Sequence, residues 1–304
     1  MIHPVHLLAA ASLLLSAGAS AQDSSSVYRE LQRQEARVAT VAYRINRGAQ
    51  DFCWPRSDYG WALADVRQYP AGARDAVRRA LDLPPDALVF VTAVVDAGAA
   101  QRAGVQVGDA LTISGWSAGQ MVADAGTRAL LDQVEDQISQ STDITVSLTT
   151  RSSPERQVRL VAGYSCAIPV QVSASDGRWA VTNGRIVSIP AGAAQRMSDD
   201  LLAAVVAHEM AHVLLGHRAQ AEADASAQDN ARRRQRNDRA RARELEADAQ
   251  ALQLLRRAGY PPAALITYLR AQEDRVLFPG MAYRRHPSWR GRREQAERIL
   301  ANQP

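Results

Sequence analysis

Hydrophobic residues recur along the chain at spacings that divide it into three segments. In residues 22–54 they fall at helical intervals among Arg, Gln and Glu, which predicts a helix whose narrow apolar stripe docks on a neighbouring domain. In residues 55–162 short apolar runs such as Leu88–Val95 alternate with turns, which predicts a small β domain. Residues 163–304 open with short strand-like runs and then become mostly helical. The pattern therefore predicts an α+β chain in which a β domain precedes a mostly helical one.

One predicted helix in the last segment is apolar on every side. Almost every residue of Leu201–Leu215 is apolar. The exceptions are two histidines and one glutamate, namely His208, Glu209 and His212. A helix that is apolar all round is buried. Its ends carry the expected signals, because Ser198 can cap the first turn and Gly216 can end the last one.

The spacing of the two histidines suits a metal ion. His208 and His212 are four residues apart, so they share one face of the helix and their rings can converge on one ion. Burying two imidazoles and a carboxylate among apolar residues is costly unless something compensates them. A Zn²⁺ ion would do so, because it binds neutral imidazole, and Glu209 would then act as the general base toward water. The motif predicts one zinc ion per chain.

A hydrolytic zinc site needs a third protein ligand, and the helical stretch Arg243–Leu252 offers one. Glu244 and Asp248 are one turn apart on the same face of that helix. Glu244 is therefore the expected third ligand, and Asp248 is expected to support a ligating histidine from behind. Glu246 points roughly 200° away from Glu244 and is expected to be a solvated surface carboxylate.

The pairing of His-Glu-x-x-His at 208–212 with Glu-x-x-Ala-Asp at 244–248 resembles the gluzincin peptidases of the HtpX, BepA and CAAX-prenyl-endopeptidase type. The resemblance covers residues of about 165–300. It implies a zincin-like, mostly helical metallopeptidase domain with a small edge sheet. In that family an edge strand and a loop precede the catalytic helix, and Val187–Gly192 looks like them.

A further part of the resemblance lies near the end of the chain. His286-Pro287, with Arg292 six residues after the histidine, is similar to a late His-Pro motif of that family. The resemblance implies that His286 lies at the site, either as a hydrogen-bond donor in the transition state or as an extra ligand. The alternative is a loop histidine before the N-terminus of a helix. His217, just after Gly216, is interpreted as a histidine of the surface or of the helix C-terminal turn, outside the site.

Residues 55–162 resemble a bacterial PDZ domain. The resemblance lies in the order of the strands and in the Ala-Gly-Val-x-x-Gly-Asp segment at 103–109. That family binds an extended peptide by adding it as a strand to an exposed sheet edge. The resemblance implies a peptide-binding turn at five residues, Tyr59, Gly60, Trp61, Ala62 and Leu63. The alternative is a small β domain that packs on the enzyme and binds no peptide.

The beginning of the chain and its two cysteines indicate export. Residues 1–21 combine an apolar run with a small-residue ending, which is typical of a signal peptide. The alternative is an uncleaved membrane anchor, since the stretch is barely long enough to span a bilayer. In an oxidising compartment Cys53 and Cys166 are expected to form a disulfide rather than two free thiols. We therefore predict a periplasmic or extracellular protein, free or attached to a membrane.

The net charge of +4 comes largely from an Arg-rich stretch at 232–243. We interpret this stretch as a solvated helix face with a few neighbouring acids. It lacks interleaved aromatic residues for base stacking, so nucleic acid is not an expected partner. Peripheral contact with anionic membrane lipids is the alternative.

Together these features predict a zinc-dependent endopeptidase that acts on exported polypeptides, misfolded or unassembled ones by analogy with the family. The rival hypothesis is a chaperone-like peptide-binding protein with a latent or structural zinc site. A structural zinc site normally fills all four positions with Cys or His and needs no catalytic carboxylate. Glu209 therefore favours the enzyme.

Overall fold

The computed structural model of the chain describes residues 21–113, 127–225, 230–274 and 287–302. Within these residues the protein is a mixed α+β structure, as the hydrophobic pattern predicts. Residues 1–20 of the expected signal peptide and the candidate site residue His286 lie outside the described ranges. No helix in the described part of the chain combines the length and the apolar character needed to cross a membrane.

Helices and short strands alternate along the described residues. The helices are α1 (Ala21–Gly48), α2 (Arg74–Ala80), α3 (Ala99–Arg102), α4 (Thr127–Ser139), α5 (Ala191–Arg196), α6 (Asp199–Leu214), α7 (His217–Ala225), α8 (Asn230–Arg257), α9 (Ala263–Glu273) and α10 (Trp289–Ala301). The strands are β1 (Arg56–Asp58), β2 (Trp61–Asp65), β3 (Val89–Val94), β4 (Ala110–Ile113), β5 (Asp143–Thr149), β6 (Arg156–Val161), β7 (Gly163–Ser165), β8 (Val170–Ser173), β9 (Val181–Thr182) and β10 (Val187–Pro190).

The hydrophobic core divides between two parts of the chain. The largest core joins α1 to the residues after 165, and Ile45 of α1, Ile189 of β10 and Leu202 of α6 are all fully buried in it. Two smaller cores lie within residues 59–160. The apolar stripe of α1 was expected to dock on a neighbouring domain. Its buried residues pack on the last segment, and the helix also contacts α2 and β3 of the middle segment.

The end of α1 is tied to the start of the last segment by two links. Cys53 and Cys166 form a disulfide, the arrangement that the sequence favours over free thiols. Strand β1 pairs with β7 in antiparallel register, with Arg56 opposite Ser165. These links bring residues 53–58 next to 163–166, so the segment between them leaves the helical part and returns to it at one place.

The middle segment contains a five-stranded antiparallel sheet in the order β2-β3-β4-β5-β6. Helix α4 packs on this sheet, because its Leu131, Val134 and Ile138 share a core with strand residues such as Val91 and Val146. Strand β2 is an edge of the sheet and pairs only with β3 among the described strands.

The last segment contains a three-stranded sheet in the order β8-β10-β9. Strand β10 runs parallel to β8 and antiparallel to β9. The expectation that Val187–Gly192 supplies an edge strand is therefore wrong, since β10 is the central strand. Because β8 and β9 pair with β10 on either side, β10 lies inside the sheet, and its Val187 and Ile189 are fully buried. Strand β10 leads through α5 into α6.

Helix α6 lies at the centre of the helical part and packs against α1, α8 and α9. Its start and end follow the predicted signals. The Ser198 hydroxyl accepts a hydrogen bond from the Leu201 N–H at the first turn. Gly216 has a φ of +65°, the left-handed conformation that ends a helix and that glycine adopts without steric cost. The chain reverses there, and α7 begins at once.

Candidate metal centre

The side chains of His208, His212 and Glu244 converge at the contact between α6 and α8. The Nε2 atoms of the two histidines lie 3.1 Å apart. The Glu244 carboxylate lies 3.5 Å from Nε2 of His208 and 3.7 Å from Nε2 of His212. One ligand atom from each residue can be chosen so that all three lie within 4.8 Å of one another. These three residues, all expected from the sequence, therefore form a possible metal-binding triad.

Asp248 supports the triad from behind. Its Oδ1 lies 3.0 Å from Nδ1 of His208, on the ring edge opposite the cluster, and its side chain is fully buried. A proton on Nδ1 can therefore be donated to the carboxylate, which fixes the tautomer of His208 and leaves the Nε2 lone pair facing the cluster. The structure thus brings Asp248 to the place that its spacing from Glu244 predicts.

Arg292 enters the site from the first turn of α10. Two of its nitrogens lie 2.7 Å from the two oxygens of Asp248, and Nη1 lies 3.0 Å from Oε2 of Glu244. Its nitrogen Nη2 also lies 3.3 Å from both ring nitrogens of His208. The guanidinium carbon is 4.9 Å from the ring centre of Trp289, and that ring stacks on Trp179. Sequence reasoning placed Arg292 only in the late His-Pro motif and did not give it these contacts.

The donor set fits a divalent cation. Two ring nitrogens 3.1 Å apart repel each other unless a proton or a cation lies between them. The carboxylates of Glu209, Glu244 and Asp248 and the single guanidinium of Arg292 leave two negative charges when all are ionised. Two imidazoles and a carboxylate are ligand types that zinc prefers, and three protein ligands leave a fourth position open.

The pKa values of the histidines describe the same site without a metal. Burial and the charge of Arg292 lower the pKa of His208, but hydrogen bonds to Asp248 and Glu244 outweigh them and raise it to about 9. Burial and the neighbouring His208 lower the pKa of His212 to about 3. Without a metal, His208 therefore carries one additional proton and a positive charge at neutral pH. A cation that binds between the rings has to displace that proton.

Glu209 differs from the other charged residues of the site because its carboxylate has no hydrogen bond or ion pair within the described residues. Its side chain is partly exposed, whereas its neighbours His208 and Met210 are buried. Burial raises the pKa of Glu209, and the nearby charges of His208 and Arg292 partly oppose that shift. A carboxylate in this position can accept a proton from a solvent molecule and later return it.

His217 corrects a sequence-based expectation. It was interpreted as a surface histidine, but it is buried, with an exposed fraction of 4%. Its Nδ1 lies 2.8 Å from Nδ1 of His212, and its Nε2 lies 3.3 Å from Oε2 of Glu246. The turn at Gly216 is the reason, because it directs α7 back against α8 and turns the ring toward His212. Glu246 has an exposed side chain, as expected, and still contacts His217.

The expected peptide-binding turn lies at the start of β2. Tyr59 is buried and donates its hydroxyl proton to the carbonyl of Ser141 at 2.6 Å. The N–H of Gly60 donates to Oδ1 of Asp58, and its carbonyl accepts from Val95. Trp61, Ala62 and Leu63 belong to the edge strand β2. Peptide binding by these residues stays a prediction.

Part of the Arg-rich stretch is paired with acidic residues. Arg239 and Arg243 of α8 both form ion pairs with Asp224 of α7, at 3.1 and 2.7 Å. Arg243 is buried, so its charge is directed into the contact between the two helices.

The sequence matches no known protein-family model, and no curated protein matches it significantly. The residues of the site therefore carry the proposed function.

Proposed function

We propose that the protein is a zinc-dependent endopeptidase of the gluzincin type. The observation that carries the proposal is the partly exposed carboxylate of Glu209, which has no hydrogen bond or ion pair among the described residues, beside a triad of residues that could hold a metal. A site that only stabilises the fold would have no use for such a group, because an unpaired carboxylate with a raised pKa contributes nothing to stability. A general base requires both properties.

Each residue of the site has a task in this proposal. His208, His212 and Glu244 would hold the zinc ion. The bound ion would supply Lewis-acid chemistry, polarising the scissile carbonyl and lowering the pKa of water in the open position. Glu209 would accept a proton from the attacking water and return it to the leaving amine. Asp248 fixes the tautomer of His208, and Arg292 balances the charge of the carboxylates.

We propose that the substrates are polypeptides outside the cytoplasm. The disulfide between Cys53 and Cys166 supports an exported protein, because such bonds persist in oxidising compartments. The five-stranded sheet of the middle segment supports a PDZ-like domain, since β2 has one edge with no partner strand among the described residues, and an extended peptide can add there. By analogy with the gluzincin family, misfolded or unassembled exported proteins are the substrate class that we propose.

Cleavage of unfolded casein by the full chain tests the proposal. The Glu209→Gln variant should retain one zinc ion per chain and lose activity by about 10²–10⁴-fold, because the amide cannot accept the proton. Glu222→Gln is the matched control, since Glu222 is an exposed carboxylate paired with Arg218 on α7. It should cleave at the rate of the unchanged protein. Cleavage by Glu209→Gln at the unchanged rate, with zinc bound, would contradict the mechanism.

A further inference from the structure

His217 and Glu246 form a chain of contacts that begins at the proposed ligand His212. The ring of His217 meets the ring of His212 at a centroid distance of 4.9 Å. The contact joins the two Nδ1 atoms at 2.8 Å, so it lies on the edge of His212 that faces away from His208 and Glu244. On its other side, Nε2 of His217 lies 3.3 Å from Oε2 of Glu246.

Metal binding would determine which nitrogen carries the proton at each step of the His212–His217–Glu246 contacts. His212 must present the lone pair of Nε2 to the metal, so its proton lies on Nδ1. That N–H then donates to Nδ1 of His217, which must carry a lone pair. The proton of neutral His217 therefore lies on Nε2 and donates to the Glu246 carboxylate. Each hydrogen bond has one donor and one acceptor, and no proton has to move.

We propose that His217, oriented by Glu246, is a positioning residue that fixes the tautomer and the ring orientation of the ligand His212. This inference depends on the proposed metal site. It gives the two histidine ligands equivalent support, because Asp248 holds Nδ1 of His208 just as His217 holds Nδ1 of His212. The supports differ in charge: His208 donates to a buried carboxylate, and His212 donates to a neutral ring whose carboxylate partner is exposed.

The geometry separates this role from that of a metal ligand. A ligand would direct a nitrogen toward the space between the Nε2 atoms of His208 and His212, where Glu244 lies. Both nitrogens of His217 already have partners on the other side of the His212 ring. The group of side chains that could hold a metal in the described residues accordingly contains His208, His212 and Glu244 without His217.

Two substitutions separate positioning from simple packing. His217→Leu keeps a similar volume and removes the acceptor for the His212 N–H. His217→Asn loses volume and keeps an acceptor, since the amide oxygen can take the place of Nδ1. A packing role predicts that leucine is the better replacement, and a positioning role predicts that asparagine is. Glu222→Ala serves as the control for Glu246→Ala, because both remove an exposed carboxylate from neighbouring helices.

The measurements are zinc affinity of the full chain by chelator competition and the visible absorption spectrum of the protein loaded with Co²⁺. We expect His217→Leu to weaken zinc binding about 10–100-fold and to shift the Co²⁺ bands, because His212 is free to rotate. His217→Asn should recover most of that affinity and the original spectrum. Glu246→Ala should weaken zinc binding by less than about 10-fold, because its contact is exposed, and Glu222→Ala should have no effect.

An unchanged zinc affinity and spectrum in His217→Leu would overturn the inference, and so would a loss in His217→Asn as large as in His217→Leu. Failure to bind zinc by the unchanged protein would overturn it together with the metal site. None of these measurements uses a peptide substrate. Zinc binding that follows the expected order, in a protein that cleaves no peptide, would reject the proposed peptidase function and support the positioning role.

Discussion

Replacing Arg292 with methionine removes the charge that compensates the most deeply buried carboxylate of the site. Arg292 forms two hydrogen bonds of 2.7 Å with Asp248, whose side chain is fully buried. Methionine fills part of the same space without a charge. Asp248 is then left in the interior with a single partner, Nδ1 of His208 at 3.0 Å.

The expected loss follows from the burial of that pair. Removing one partner of a buried ion pair costs about 3–5 kcal/mol, because the remaining charge is uncompensated. The contact with His208, which is protonated in the metal-free protein, stays in place and compensates part of the Asp248 charge, so we expect the lower end, about 3 kcal/mol. Replacing Asp248 by asparagine in the same molecule removes the buried carboxylate that has lost Arg292. The double variant should therefore be more stable than Arg292→Met alone, by about 1–2 kcal/mol.

Urea unfolding of the metal-free protein, followed by circular dichroism, measures these differences. Arg270→Met is the matched control, since Arg270 is exposed and lies 3.5 Å from its partner Glu297. It should change the free energy of unfolding by less than about 0.5 kcal/mol. Two results would contradict this prediction. One is a loss of unfolding free energy in Arg292→Met no larger than in the control. The other is a double variant whose loss equals the sum of the losses of Arg292→Met and Asp248→Asn measured singly.

Four further predictions concern the protonation of His208 (two of them), the turn at Gly216 and the disulfide. Because His208 has a pKa of about 9 without metal, zinc affinity should rise about tenfold per pH unit from pH 7 to 9; a flat profile in chelator competition would contradict this. The same raised pKa should stabilise the metal-free protein below pH 6.5, and unfolding at graded pH should show that contribution lost as the pH passes 9. Gly216→Ala should cost about 1 kcal/mol in urea unfolding, because φ is +65° although the added methyl group meets no atom; an unchanged stability would argue against the turn. The variant with Cys53→Ser and Cys166→Ser should lose about 4–5 kcal/mol, since the bond closes a loop of 113 residues, and reductant should lower the thermal midpoint of the unchanged protein but not of the variant.

The parts of the site that depend on one helix could be predicted from the sequence. His208, Glu209 and His212 follow from spacing within α6, and Glu244 and Asp248 follow from spacing within α8. Periodicity fixes which side chains share a face, and it brings both groups together once each helix is known to be buried on that face.

The parts that depend on the path of the chain could not be predicted. Arg292 meets His208 across 84 positions in sequence, and no periodic pattern relates α10 to α6. From the sequence alone His217 is expected at the surface, because Gly216 indicates only that a helix ends there. The direction of the following helix makes His217 buried. The central position of β10 could not be predicted either, since the residues of β10 do not indicate that β8 and β9 pair with it on either side.

Diffraction from a crystal of the full chain, collected on both sides of the zinc absorption edge, shows whether His208, His212 and Glu244 hold a zinc ion. We expect one anomalous peak per chain, about 2.0–2.2 Å from Nε2 of His208, Nε2 of His212 and a carboxylate oxygen of Glu244, with Nδ1 of His212 still on His217. Glu209 should face the open side of the ion without binding it. No peak in zinc-soaked crystals, or a peak bound through His217 instead of Glu244, would contradict the account.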